Sequence, residues 1–452
     1  MNIIYIHTHD SGRFLSPYGA NVPTDNLLEL AKDSIVFRNA YCAGSTCSPS
    51  RAALLTGTYP HNNGMYGLAH RGFKLKDYKM HLANYLKEYG YETVLCGVQH
   101  EAAGCTESHI AVPIIGYSKN ITEDYKKRAN EDLVFWDLEN AKSAANYIKE
   151  AKNKKFFLSF GMFATHRDYP TEIDDTIDER YVSLPYLTFD NEENRKDTAK
   201  YHTSAKYADK CIDIVIKALK ENGLYDNTLI IFTTDHGIAN PFNKCNLLDS
   251  GIGVSLIIRN PKQNRQGKVT DSLVSHIDIF PTICDLLGID RPKWLQGKSL
   301  ADVLEDEKKE VREEVFAEIN YHTSYEPARS IRTKRYKYIK YYDDYNKINY
   351  SNIDDSSPKE FLLNNGLKSI KKPMEAFYDL YFDPYERNNL INNKGYKKII
   401  KELKEKLYNW QVETDDPILK KDIPIPKKAK VNKKECISPS SKDRNDYEQL
   451  PN

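Results

Sequence analysis

Residues 3–13 read Ile3-Ile4-Tyr5-Ile6-His7-Thr8-His9-Asp10-Ser11-Gly12-Arg13. The apolar run at the start predicts a strand buried on both faces, and the polar run that follows puts a His-Asp pair at its carboxyl end. Such strands belong to largely parallel sheets covered by helices, where ligands bind outside the carboxyl ends of the strands. Working outward, Thr93–Leu95, Phe156–Phe160, Leu229–Thr233 and Val254–Ile258 repeat this texture, with helical patterns between them. Thr24 stands where a cap would precede a helix over Asp25–Lys32. Leu82, Tyr85, Leu86 and Tyr89 share one helix face that Gly90 ends, and Ala208, Cys211, Val215 and Leu219 share another, ended near Gly223. The expectation is an α/β fold over residues 1–305, a mostly parallel sheet between helices.

Beyond residue 300 the texture changes. A charged helix is expected from Asp302 to Arg312, then a small antiparallel sheet from Val315–Ala317, Ser330–Arg332, Tyr336–Tyr341 and Phe377–Leu380. An amphipathic helix from about Tyr396 to Trp410 closes this second unit, residues 306–417. Residues 418–452, rich in Lys and Pro, are expected to form an extended tail.

The 452 residues carry 65 Lys+Arg against 64 Asp+Glu, a net charge of +1. That parity argues against a broad polyanion-binding surface, so no nucleic-acid partner is expected, and leaves room for a few cations gathered in one pocket. No apolar run approaches the ~18 residues that a membrane-spanning helix needs, so no membrane partner is expected either. Met1-Asn2 enters the first strand with no leader pattern before it, which makes a cytoplasmic location the expectation. The eight cysteines form no CxxC pair, and the expectation is reduced thiols, seven of them packed as small apolar side chains.

Two polar clusters follow strands, His9-Asp10 and Thr234-Asp235-His236-Gly237. Each supplies an Asp beside a His, and their convergence would make a cage for a divalent cation, although Asp-His-Gly alone is more often a capped turn. The densest stretch is Cys47-Ser48-Pro49-Ser50-Arg51-Ala52-Ala53-Leu54-Leu55-Thr56-Gly57. Cys47 begins a turn, Pro49 and Ser50 open a helix, and Arg51 lies one turn on. A helix N-terminus with a nearby Arg stabilises negative charge and activates a nucleophile.

Cys-x-Pro-Ser-Arg followed by Leu-Thr-Gly resembles the signature of the type I sulfatases, and the likeness runs through most of the chain. Pro23–Tyr41 resembles that family's first helix and strand, Asp235-His236-Gly237 its second metal motif, and Ser275–Thr282 its Ser-x-x-Asp-x-x-Pro-Thr block. Tyr378–Glu386 resembles the segment that finishes its small sheet. Within the family, Asn63–Leu68 and Trp410–Pro417 resemble the heparan N-sulfatase branch.

The resemblance implies an alkaline-phosphatase-like fold and hydrolysis of a sulfate ester or sulfamate on a saccharide, glycosaminoglycan-derived and attacked at an end. It implies that Cys47 is oxidised to formylglycine by a formylglycine-generating or anaerobic sulfatase-maturating enzyme, and that the hydrated aldehyde is the nucleophile. Asp10, Asp235, His236 and the modified Cys47 would hold one divalent cation. His9 stands where the family usually has Asp, and is either a further ligand or a hydrogen-bond donor behind one. Calcium is the family's usual ion, while a nitrogen donor at His9 suits manganese or zinc.

Arg51 would hold the hydrated aldehyde, His166 the leaving-group oxygen, and Lys244 the sulfate. His100 matches the His of a Gly-Lys-x-His motif whose Lys position is Val98 here, so Arg13 is the candidate replacement cation. His322 and Arg329 are candidate sugar contacts, whereas His61 and His70 read as loop side chains. Two other readings compete: a phosphonate monoester or phosphodiester hydrolase of the same superfamily, and a non-catalytic binding protein should Cys47 stay unmodified. N-sulfate and O-sulfate are equally open.

Overall fold

Eight strands form the central sheet of the computed structural model, which describes residues 1–128, 132–263, 267–420 and 423–451. In chain order they are β1 (Asn2–Thr8), β2 (Ile35–Phe37), β3 (Glu92–Gly97), β4 (Lys119–Asn120), β5 (Phe156–Gly161), β6 (Thr228–Thr234), β7 (Leu256–Arg259) and β8 (Lys268–Thr270). Their order across the sheet is β4-β3-β5-β1-β6-β7-β2-β8. Every neighbouring pair is parallel except those made by β7, which runs antiparallel to both β6 and β2. The segment expected as a parallel strand at Val254–Ile258 is therefore the one reversed strand. Its burial on both faces comes from a central place in the sheet, so apolar content could not reveal its direction.

The register sets up the site. His7 pairs with Gly161, Thr8 with Thr234, and Gly97 with Gly161. The carboxyl ends of β1, β3, β5 and β6 thus lie along one edge, and the residues that follow each strand converge there.

Side chains of β1 alternate between two cores. Ile3 and Tyr5 pack with Leu54, Leu55, Phe280 and Ile283; Ile4 and Ile6 pack with the helices of the opposite face. Full burial of each aliphatic side chain contributes about 1.5–3 kcal/mol. The helices that matter here are α1 (Asp25–Lys32), α2 (Cys47–Thr56), α3 (Leu133–Glu150), α4 (Glu192–Glu221), α5 (Ile279–Leu287) and α6 (Lys397–Glu413). The stripe Ala208, Cys211, Val215 and Leu219 of α4 faces the sheet as expected. Thr24 makes no cap bond to α1, because its hydroxyl is engaged with Ser16. The charged helix expected to reach Arg312 stops early, at Ala301–Glu305.

The second unit is a four-stranded antiparallel sheet of β9 (Glu314–Tyr321), β10 (Tyr325–Thr333), β11 (Tyr336–Tyr341) and β12 (Glu375–Asp379), paired in that order. Helix α6 closes one face with Ile400, Leu403, Leu407 and Trp410, and Trp410 stacks on Phe316 at 4.8 Å between ring centroids. The two units share side-chain packing: Ala43, Ala53 and Tyr59 belong to the same apolar cluster as α6.

The final segment is not an extended tail. Ile418, Ile423, Ala429 and Val431 are buried against Met65, Tyr66, Phe73 and Tyr321, and Val431–Asn432 pairs with Tyr447–Gln449. Arg71 pins it by donating to the carbonyls of Lys430 and Pro439 and to Asn432. A low apolar content concealed this packing, since a few well-placed side chains and a buried guanidinium do the anchoring. All eight cysteines are free thiols, and all but Cys105 are buried. Among the described residues, no helix is long and apolar enough to cross a membrane.

Candidate active site

The two His-Asp clusters meet because their loops touch backbone to backbone. Gly12 donates its N–H to the carbonyl of His236 at 2.9 Å, and a Cβ on Gly12 would stand 3.1 Å from the Cα of Gly237. A Cβ on Gly237 would collide with the Ser250 carbonyl, so the Gly of Asp-His-Gly is required by packing. Asp10 itself sits at φ +42°, in the left-handed region that Asp tolerates better than most residues. This turn aims its backbone N–H at Asp235 Oδ1, 2.9 Å away.

Around that junction two overlapping sets of donor atoms lie within 4.8 Å of one another: His9, Asp10, Cys47 and His166, and Asp10, Cys47, Asp235 and His236. His236 turns Nδ1 to the carbonyl of Gly237 at 3.0 Å, so that nitrogen carries the proton and Nε2 presents a lone pair, 3.3 Å from Cys47 Sγ. His9 Nδ1 lies 3.1 Å from Asp235 Oδ2, yet neither ring nitrogen makes a directed hydrogen bond, and Asp10 Oδ1 is likewise buried without one. A carboxylate oxygen and imidazole nitrogens left unpaired and convergent fit a divalent cation. Burial would raise both carboxyls; Lys244, His166 and His236 overcome it at Asp10, and His236, Arg51 and His9 at Asp235, holding both well below the usual carboxylate range.

Cys47 is the first residue of α2 and is buried, and burial pushes its thiol well above the ordinary value despite Lys244. Pro49 and Ser50 lie in the first turn as expected, and Ser50 donates to the carbonyl of Asp235 at 2.5 Å, tying the helix start to the second cluster. Arg51 is wholly buried. It donates to His7 Nδ1, to the Thr8 carbonyl at 3.1 Å and to Asp235 Oδ2 at 3.0 Å, and its Nε is left without a partner.

Four further expected residues stand at the same space. His100 stacks edge-on to His9 at 4.5 Å, with neither ring nitrogen bonded, and burial drives its pKa well below the ordinary value. His166 donates Nδ1–H to the carbonyl of Arg167, leaving Nε2 facing Asp10 Oδ2 at 3.9 Å. Burial lowers this ring to about 4, against the pull of Asp10. Lys244 donates to Asp10 Oδ2 at 2.9 Å and lies 3.0 Å from Asp354 Oδ2. His322 is buried with Nδ1 unpaired, and Lys244 and Asp354 are among the charges that act on it, so β9 and the turn after it do reach the site.

Two expectations fail. Arg13 makes no bond to the cluster: its Nη2 donates to the Ala40 carbonyl at 2.8 Å and its guanidinium lies over Tyr41, 4.6 Å from the ring centroid. Left-handed φ values at Asp10 and Gly12 turn the chain between the two side chains, sending Arg13 into a separate cavity of about 630 Å³ with Tyr18, Asp249, Ser250 and Glu386. It does not replace the lysine missing at Val98, which is fully buried and apolar.

Arg329 is no sugar contact. It is wholly buried on β10 in a two-pronged pair with Asp416 at 2.7 and 2.9 Å, and its remaining donors go to Ile319, Asn320 and Ala328. Because every donor group is engaged, Arg329 is a structural clamp between the small sheet and the end of α6. Arg329→Ala strands the Asp416 carboxylate and is expected to destabilise the protein by about 3–5 kcal/mol, measured by urea unfolding.

Sequence reasoning also missed residues. Asp354, from the loop between β11 and β12, carries no motif and is brought to Lys244 only by folding. Glu101 is buried behind the cluster, where burial raises its carboxyl and Arg51 opposes the rise. His61 is buried in a pair with Glu318 and stacks on Tyr59, so it is structural rather than a loop side chain in solvent. His70 is exposed and faces His100 at 6.4 Å, at the rim of the site.

A helix-sandwiched sheet with this donor cluster at its strand ends defines a hydrolase of alkaline-phosphatase-like architecture. More narrowly, residues 1–289 match the sulfatase family and residues 235–371 match the C-terminal region of N-sulphoglucosamine sulphohydrolase; the chain belongs to the sulfatase family. It is 29% identical over 441 residues to an ulvan-active sulfatase of Formosa agariphila, covering 94% of this chain and 82% of that one. Against human N-sulphoglucosamine sulphohydrolase the identity is 28% over 481 residues, covering 92% and 91% of the two chains.

Solved structures share the fold. One was determined in complex with its substrate D-glucosamine-2-N,6-O-disulfate, at TM-score 0.69 and 20% identity over 92% of this chain and 98% of that one. A phosphonate monoester hydrolase of Agrobacterium radiobacter superposes at TM-score 0.70 and 20% identity, covering 91% and 96%.

Proposed function

We propose that this sulfatase removes a sulfate ester or sulfamate group from the end of a glycosaminoglycan-derived saccharide, using formylglycine made from Cys47 and one bound divalent cation. The observation that carries the reading is the placement of Cys47 Sγ at a helix N-terminus, among the ligand atoms of Asp10, Asp235 and His236.

Asp10, Asp235 and His236 would hold the cation, with an oxygen of the modified residue taking the place of Cys47 Sγ and His9 at the side. Calcium is favoured by the two carboxylates, manganese or zinc by the imidazoles. The cation, when bound, supplies Lewis-acid stabilisation of charge on the sulfuryl oxygens. Formylglycine, when formed, supplies two hydroxyls on one carbon, so that one can bond to sulfur and the other can later drive sulfate out, which neither Ser nor Cys can do. A maturating enzyme that oxidises Cys47 is therefore a required partner.

The chain's own residues do the rest. Arg51 holds Asp235 in place, its Nε is left without a partner, and its charge is among those that act on Cys47. Lys244 neutralises the nonbridging oxygens in a site with little water, where a fixed cation acts most strongly. His166 Nε2 holds a lone pair in the resting site, its Nδ1–H being fixed on the Arg167 carbonyl; the negative charge of a bound sulfate would favour protonation at Nε2, and the imidazolium would then hand that proton to the departing oxygen or nitrogen.

A second reading, phosphonate monoester or phosphodiester hydrolysis, is favoured by the likeness to phosphonate monoester hydrolases. One experiment separates the two: mass analysis of the Cys47 peptide, then paired assays on sulfated sugars, an aryl sulfate and a phosphodiester. The expected result is conversion of Cys47 and kcat/KM at least about 100-fold higher on sulfated sugars. An unmodified thiol in active protein, or a preference for the phosphodiester, overturns the proposal.

A further inference from the structure

A carboxylate beside Lys244 takes no part in the cation cluster. Asp354 belongs to neither ligand set, yet its Oδ2 stands 3.0 Å from Lys244 Nζ, and its side chain is only 15% exposed. Lys244 lies between two acids, Asp10 on the cluster side and Asp354 on the other, each within contact distance. Oδ2 of Asp354 makes no directed hydrogen bond, and the neighbouring His322 keeps Nδ1 unpaired.

The loop that delivers Asp354 is braced from two directions. The Asn352 side chain accepts from the N–H groups of Thr323 and Ser324 at 3.1 and 2.9 Å, tying it to the turn that carries His322. Lys359 Nζ donates to the carbonyls of Ile353 and Ile437 at 2.7 and 2.8 Å, and Ser438 donates to Asp355 at 2.5 Å, tying it to the final segment of the chain. A carboxylate so rigidly held beside a sulfate-binding lysine carries an electrostatic cost, because it repels the anion that the site must receive. It contributes to binding only where a hydrogen-bond donor on the substrate meets it, and a second anion at that point is rejected.

Resting on the sulfatase reading above, we propose that Asp354 is a specificity-determining residue. It accepts hydrogen bonds from a hydroxyl or ammonium group on the sugar carbon next to the one bearing the scissile sulfate, and it excludes sugars sulfated at that neighbouring position. The substrate class is thereby narrowed to saccharides with an unsulfated donor group beside the group that is removed.

The test measures kcat/KM with protein in which Cys47 is converted, on substrate pairs that differ only at the neighbour. N-sulfoglucosamine with a free or sulfated 3-hydroxyl reads the hydroxyl arm; glucosamine 3-sulfate with a free or sulfated amine reads the ammonium arm. The native protein is expected to favour the unsulfated neighbour by about 100-fold in at least one pair. Asp354→Asn, which keeps the shape and removes the charge, is expected to cut that ratio to below about tenfold, and Asp354→Glu to restore part of it.

Equal loss on both members of a pair in Asp354→Asn would mean that Asp354 only holds Lys244, and the proposal fails. It fails equally if the native protein turns over both members alike. Absence of turnover on every pair and on an aryl sulfate by converted native protein removes the sulfatase reading itself, whereas aryl sulfate turnover without neighbour selectivity removes only the role given to Asp354.

Discussion

Cys47→Ala is expected to abolish sulfate release, lowering kcat by at least about 10⁴-fold, because it removes the atom on which the proposed covalent chemistry depends. The protein still folds: losing one small buried sulfur costs about 1–2 kcal/mol, a shift of a few degrees in Tm. Cys47→Ser is the sharper variant. A serine hydroxyl at the start of α2, among the same donors, can take up the sulfuryl group once but has no second hydroxyl to expel it. The expected record is a single burst of alcohol or amine, stoichiometric with protein, followed by no further turnover. Mass analysis of the peptide spanning position 47 should then find the introduced serine sulfated. Steady turnover by the serine variant without aldehyde at that position would refute the mechanism.

Asp235→Asn has the second largest effect, because this carboxylate serves several partners at once. It receives N–H groups from Asp10 and His236, a guanidinium nitrogen from Arg51, and stands 3.1 Å from His9. Neutralising it leaves Arg51 buried without its ion partner, for which about 3–5 kcal/mol of lost stability is expected in urea unfolding. Bound divalent metal should fall to a small fraction of an equivalent by elemental analysis, and kcat/KM by at least about 10³-fold. Excess calcium or manganese should recover little of that loss, since an amide supplies a weaker ligand than a carboxylate. A variant that keeps a full equivalent of metal and most of its turnover would place the cation elsewhere.

Much of the site was legible because its signals are local. An apolar run ending in His9-Asp10, another ending in Asp235-His236-Gly237, and a Cys-x-Pro-Ser-Arg helix start each mark a structural position within a few residues, and the family resemblance of these short motifs supplies the chemistry expected there. The parallel sheet then makes them converge, since residues after adjacent strands share one edge. The errors came where side-chain direction depends on the backbone turn. Arg13 is three residues from Asp10 in sequence, but left-handed φ values at Asp10 and Gly12 point it elsewhere. Arg329 sits near His322 in the chain, but on a strand whose partner, Asp416, lies beyond the end of α6.

Taken alone, the sequence determined the α/β architecture with its antiparallel second unit, and it singled out His9, Asp10, Cys47, Asp235 and His236, which the structure brings within reach of one another. Periodicity, strand-end polarity and a helix-start motif are short-range properties that survive in any context the chain adopts. Only the tertiary structure decided that β7 runs backwards, that the final segment packs over Met65 and Phe73, and that Asp354 reaches Lys244. Those outcomes depend on contacts between residues far apart in the chain, each chosen by packing and charge pairing in three dimensions, and no local pattern encodes them.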